Sequence, residues 1–364
     1  MKNIFILFAG FCCFQVSSAS GAATSFDHQA TNEELRTSLE KNSAYHKIQT
    51  HQHSPSTPAL TPFRPAEDTA NFAYVLMSAV EPNQEVTNLR KTIAQNLPAG
   101  VQLVILADTT DIDTVKAEYA PWIEPERLLV VTDSFTDFGL WARDAFPVPV
   151  YDNAQKKLSL VSAKYYREFN SGDAIAKGVQ ASHLEKKDFT FVGGNLIADE
   201  DGNCFSVDSS RLFGTTPTDL IGAYGCKTHH LMPHAAGIGD VDEVLKPLSK
   251  HRILTNVVAY RSLLESWGYQ VILLPALPGF RTYANSLIVK NVVFMPSYGI
   301  PQDSEAQGIY EKLGYKVFPV PSQELSDTLH GSIHCQTMAY PAMDPTQDPA
   351  TDAKEFLNAL HFQN

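Results

Sequence analysis

Ser266-Trp267-Gly268-Tyr269-Gln270-Val271 and Lys312-Leu313-Gly314-Tyr315-Lys316-Val317 are two versions of one phrase, 46 residues apart. In each, an amphipathic stretch (Tyr260–Trp267, Glu305–Leu313) runs into glycine and then into an apolar run (Tyr269–Leu274, Tyr315–Val320). A glycine just past a helix takes the left-handed conformation that closes the last turn, so both phrases read as helix, cap, strand. A repeat of this length is one supersecondary unit used more than once. Upstream the same alternation continues. Phe72–Val80, Val101–Ala107 and Leu128–Thr132 have the apolar content of buried strands, and Val86–Leu97 and Asp111–Trp122 the spacing of helices.

A second rhythm lies in the polar residues. Asp144 in Trp141-Ala142-Arg143-Asp144, Gly194 in Gly193-Gly194-Asn195, Asp240 with Asp242, Asn285, and Cys335 follow one another at intervals of 45 to 50 residues. Five such points, one repeat apart, suggest five α/β modules that each offer a strand end to a shared centre, as in a propeller. An open doubly wound sheet accommodates the same helix–strand alternation.

The N-terminus predicts export. Lys2 precedes an apolar run from Ile4 to Phe14 and then small residues suited to cleavage after Ala19 or Ser20, so residues 1–19 read as a signal peptide. The run is shorter than the ~20 residues a bilayer span needs, and no later segment reads as a membrane helix. Residues 20–70 are expected to be a flexible polar leader, with a short helix from Asn32. The propeller is assigned to 71–345 and a C-terminal helix or tail to 346–364. A secreted or periplasmic chain meets an oxidising compartment, where the odd number of cysteines beyond the signal peptide leaves at least one free or paired with another chain. A Cys204–Cys226 disulfide with Cys335 free is the economical assignment. The net charge of −12, without a basic stripe, argues against nucleic acid and suits a cationic ligand.

Cys335 stands in Gly331-Ser332-Ile333-His334-Cys335-Gln336-Thr337, a polar turn that suits a nucleophile. A thiol with its usual pKa near ~8.5 needs help to ionise. His334 is a poor helper on sequence grounds, because neighbours along an extended chain face opposite ways. If Asp144 and Asp242 flank the thiol, their charge raises its pKa and disfavours a neutral carbonyl substrate. A guanidinium, by contrast, pairs with two carboxylates through its planar fork and stabilises the thiolate.

The ordered set Trp141-Ala-Arg-Asp144, Gly193-Gly194-Asn195, the Asp240–Glu243 block, Asn285 and Gly331-x-Ile-His-Cys335 resembles the agmatine deiminases and the Porphyromonas-type peptidylarginine deiminases. These belong to the guanidine-modifying (pentein) superfamily. The resemblance covers about residues 70–345 and implies a single-domain α/β fold, a five-module ββαβ propeller. It implies that Asp144 and Asp242 clamp a guanidinium and that Cys335 attacks its carbon. Trp141, Gly193, Gly194, Asn195 and Asn285 would line the pocket. The implied substrate is an arginine-type guanidine, in a peptide or as a small molecule, with no metal and no organic cofactor. One departure stands out: Asp240 occupies the place of the histidine that carries protons in the family. The chain is therefore expected to be a secreted deiminase with Asp240 among its catalytic residues, or an impaired relative that binds guanidinium groups or proteins without turnover. A cysteine peptidase is disfavoured, since no familiar Cys/His/Asn order surrounds Cys335.

Overall fold

Gly268 and Gly314 both adopt positive φ, +91° and +94°, each between a helix and a strand as the repeated phrase requires. The computed structural model describes residues 26–52, 63–69, 71–133, 138–152 and 157–342. The expected signal peptide and C-terminal tail lie outside them.

The chain runs α1 (Asn32–Gln52), β1 (Phe63–Pro65), β2 (Phe72–Ser78), α2 (Gln84–Asn96), β3 (Gln102–Asp108), α3 (Ile112–Tyr119), β4 (Leu128–Asp133) and α4 (Ala142–Ala145). It continues with β5 (Val148–Asp152), β6 (Lys157–Lys164), α5 (Gly172–Gly178), β7 (Leu184–Thr190), β8 (Ile197–Ala198), β9 (Asn203–Asp208), α6 (Pro217–Tyr224) and β10 (Thr228–Pro233). Then follow β11 (Leu245–Leu248), β12 (Arg252–Thr255), α7 (Arg261–Ser266), β13 (Gln270–Leu273), β14 (Leu287–Val289) and β15 (Val292–Ser297). The last elements are α8 (Pro301–Lys312), β16 (Lys316–Pro321), α9 (Gln323–Asp327) and β17 (Met338–Pro341).

One construction rule recurs. Two antiparallel strands are followed by a helix that returns the chain to a third strand, parallel to the second. The triplets are β5–β6–β7, β8–β9–β10, β11–β12–β13 and β14–β15–β16, crossing through α5, α6, α7 and α8. The fifth is assembled from both ends of the chain: β17 pairs antiparallel with β2, and α2 leads to β3. β1 is added to β5, and β4 to β3.

The sheets are separate, and their alternating side chains join them into a ring. On β2, Tyr74 and Leu76 face Leu158 and Leu160 of β6, while Val75 and Met77 face Leu287 and Phe294 in β14 and β15. Val161 and Phe189 meet Cys204, Phe205 and Val207 meet Leu245 and Ile253, and Leu254 meets Ile288 and Met295. Each apolar core thus lies between two neighbouring modules, and the fifth closes the circle. This settles the propeller against the open sheet. Asp144, Gly194, Asp242, Asn285 and Cys335 stand just ahead of β5, β8, β11, β14 and β17, the first strands of the five modules.

The leader expected over 20–70 needs correction. The helix is longer than predicted and packs on the propeller, because buried Asn42 donates to the carbonyls of Thr190 and Phe213 and accepts from the Thr190 amide. Its first turn is capped by Thr31 and Glu34, each accepting from the other's amide. Polar composition disguised this segment, since hydrogen bonds supplement the few apolar contacts it makes through Leu35 and Tyr45.

Candidate active site

The turn carrying Cys335 is held by Asn285. Its Oδ1 accepts from the amides of His334 (3.0 Å) and Cys335 (3.3 Å). Its Nδ2 donates to Cys335 Sγ (3.0 Å) and to the Asp242 carbonyl (3.3 Å). One amide thereby ties three module ends together. Cys335 is fully buried, with Sγ 3.7 Å from Asp242 Oδ2. Burial, then Asp242, Glu243 and Asp144, push its thiol well above the usual range. That is the effect the sequence predicts for a thiol among carboxylates.

His334 is the first surprise. Residues 333–336 form a turn, not an extended strand, so its ring and the thiol are not forced apart. His334 Nδ1 bonds Asp242 Oδ2 (2.7 Å), and Nε2 bonds Asp68 Oδ1 (2.9 Å). Asp68 in turn accepts from Lys246 (2.8 Å) and lies 3.9 Å from Arg143. Burial opposes ionisation of Asp68, but Lys246, His334 and Arg143 outweigh it and hold the carboxyl well below its ordinary range. The result is a buried chain from Cys335 through Asp242 and His334 to Asp68, which fixes the orientation of the Asp242 carboxylate.

Asp144 and Asp240 form a second cluster around Arg211. The Arg211 guanidinium bonds Asp144 Oδ2 and both oxygens of Asp240 (Nη2 to Oδ2, 2.7 Å; Nε to Oδ1, 3.0 Å). Asp144 Oδ1 accepts from the Gly194 amide (3.1 Å) and Oδ2 also from His28 Nε2 (2.8 Å). Burial works against the Asp144 anion, but Arg211 and His28 hold its pKa low. Asp240 goes the other way: burial, and Asp144 beside it, push it up to about 6 in spite of Arg211. The sequence placed an aspartate here where the family has a histidine. It did not predict the cation that accompanies it.

The glycines are there for space. A Cβ on Gly194 would lie 2.6 Å from Asp144 Oδ1 and 3.1 Å from Asp240, and one on Gly193 would strike the Arg143 carbonyl. Asn195, expected to line the pocket, instead pairs with the Val207 main chain (2.7 and 3.0 Å) and pins its turn to β9. Trp141 stacks on His28, with centroids 4.2 Å apart, and packs over Gly331. His229 and His230, close to Asp240 in the sequence, lie against Ser206 and Trp267. Arg167 pairs with Glu34 (3.0 Å).

His28, Asp144 and Asp240 present ligand atoms within 4.8 Å of one another, a spacing that would hold a metal ion. Arg211 already bonds both carboxylates, and its fixed charge opposes a second cation at that point. The cluster is better described as a guanidinium held by two carboxylates.

His28, Asp68, Arg211 and His334 are the residues that sequence reading missed. His28 and Asp68 come from the supposed leader, and Arg211 from an unremarkable Ser-Ser-Arg-Leu. The mismatch at Asp240 was the available signal, since a buried aspartate in place of histidine calls for a cation.

A buried cysteine among carboxylates, at the middle of a five-module ring, defines the pentein class of fold. From β13 to β17, residues 269–341, the sequence matches the family of Porphyromonas-type peptidyl-arginine deiminases. The propeller is similar to the agmatine deiminase of C. jejuni (TM-score 0.65, 16% identity, covering 76% of this chain and 96% of that one). It is also similar to the agmatine deiminase of Enterococcus faecalis (TM-score 0.63, 16% identity, covering 80% and 100%). No curated protein sequence matches the chain.

Proposed function

We propose that this chain is an exported hydrolase that deiminates the guanidinium group of an arginine-type substrate through Cys335. The observation that carries the reading is a thiol 3.7 Å from Asp242, at a centre whose other carboxylates already hold a guanidinium, that of Arg211. A substrate guanidinium between Asp144 and Asp242 would lie over Sγ and offset the charge that keeps the thiol protonated. The thiol proton would pass to the Asp240 carboxylate, and the thiolate would attack the guanidinium carbon. Asp240 would return the proton to one –NH₂, which leaves as ammonia from a covalent thiouronium. Asp240 would then take a proton from water as the hydroxide adds to carbon. The C–S bond breaks, the ureido product hands its hydroxyl proton to sulfur, and the proton on Asp240 leaves with ammonia as ammonium. A group whose pKa stands at about 6 suits both transfers near neutral pH. The apolar N-terminal run and the Cys204–Cys226 disulfide support export.

The Arg211–Asp240 ion pair favours a second reading, a guanidinium-binding relative without turnover, since it engages the proposed proton carrier. A colorimetric assay for ureido product on peptidyl-arginine, arginine and agmatine separates the two. Product that disappears with Cys335→Ala supports the hydrolase. Saturable guanidine binding without product from any of the three supports the binding module.

A further inference from the structure

Residues 26–31 lie across the centre, and the propeller grips their main chain. Trp141 Nε1 donates to the Phe26 carbonyl (3.0 Å), and the His28 amide donates to the Leu329 carbonyl (2.9 Å). The His28 carbonyl accepts from Tyr166 Oη (3.0 Å) and Arg211 Nη1 (3.2 Å), and the Gln29 carbonyl from Arg167 (3.1 Å). Contacts of this kind read a peptide backbone whatever its sequence. One side chain enters the centre. His28 is fully buried, stacked on Trp141, with Nε2 on Asp144, the carboxylate assigned to the substrate guanidinium.

We infer that residues 26–31 are a built-in pseudosubstrate, seated where a peptide substrate's backbone would lie, with His28 in the slot of the target side chain. The inference rests on the deiminase reading. His28 offers Asp144 an N–H as a guanidinium would, yet its Cε1 lies within an aromatic ring and carries no amino group that attack by Cys335 could release. With His28 in place, Asp144 Oδ1 is taken by Gly194 and Oδ2 by His28 and Arg211, so a substrate must displace the segment. With His28 withdrawn, Oδ2 regains an acceptor direction, and Asp144, Asp240 and Asp242 still outnumber Arg211. Arginine at the same backbone position has a longer stem, which carries its guanidinium past Asp144 toward Asp242 and the thiol.

The test is His28→Arg in the full chain, followed by mass spectrometry of the peptide spanning residue 28. The expected result is conversion of the introduced arginine to citrulline, at a rate independent of protein concentration and abolished by adding Cys335→Ser. Free and peptidyl guanidines are assayed on the same preparation. If they are turned over while the introduced arginine is untouched, the pseudosubstrate idea is overturned and the deiminase reading stands. If nothing is turned over, the deiminase reading falls and takes the inference with it. Should His28→Arg fail to fold, His28→Ala in the full chain decides. Emptying the slot should raise turnover of peptidyl-arginine about tenfold or more over the unaltered chain, and no rise overturns the proposal.

Discussion

Arg211→Met removes a cation that bonds both Asp144 and Asp240 and leaves two buried carboxylates with oxygens within 4.8 Å of each other. At an effective dielectric of ~20 their repulsion is roughly 3 kcal/mol, in line with the ~3–5 kcal/mol usual when one partner of a buried ion pair is deleted. For a chain of this size that corresponds to a fall in Tm of roughly 4 °C. The loss should depend on pH. Asp240 already stands at about 6, and without Arg211 it rises further. An acid whose folded pKa exceeds its unfolded value stabilises the fold below that pKa and loses the contribution as pH rises through it. The deficit should therefore be smaller at about pH 5, where Asp240 holds a proton and only Asp144 loses an ionic partner, and be full at about pH 8. Thermal unfolding at both pH values measures this, and Arg211→Met with Asp240→Asn should recover most of the deficit at the higher pH. An equal deficit at both values, or none at about pH 8, would refute the account of Arg211 as the counter-ion of this pair.

Cys335 should resist iodoacetamide at neutral pH in the native protein, because burial and carboxylates hold the thiol up, and a haloacetamidine should label it far faster once the slot of His28 is empty; equal rates in His28→Ala and the unaltered chain argue against the closed centre. Gly194→Ala should sharply weaken guanidine binding while leaving the fold intact by circular dichroism, since the added methyl meets Asp144 and Asp240. Replacing Cys204 and Cys226 with serine should cost about 3 kcal/mol in denaturant unfolding, the amount expected for a bridge of this loop length, and no loss would mean that the reduced chain keeps the same turn.

The ring was legible in the sequence because its units repeat. The Gly268 and Gly314 phrases and the 45-to-50-residue spacing are periodic signals, and strand alternation settles which face each residue takes. Asp144, Asp242, Asn285 and Cys335 share that period, so they could be brought together on paper. What did not repeat was hidden. Arg211 follows β9 within a module, away from the strand-end positions that carry the 45-to-50-residue period. His28 and Asp68 enter from polar sequence with no hydrophobic pattern, and hydrogen bonding leaves no periodicity to count. His334 was misjudged for a geometric reason: the rule that neighbours point apart holds in a strand, and the chain turns there.

The pairing of Met338 with Leu76 has a consequence for how the protein is made. Cys335 precedes a strand that can dock only after the chain through β17 is made, long after its partner strand β2. Joining segments so far apart in sequence is entropically the slowest kind of contact, so it comes late in folding. Until then Cys335 has neither the Asn285 clamp nor its neighbouring carboxylates, and it is an ordinary accessible thiol. Cys204 and Cys226 are withdrawn from thiol exchange by their own bond, and Cys335 is withdrawn only when the ring closes.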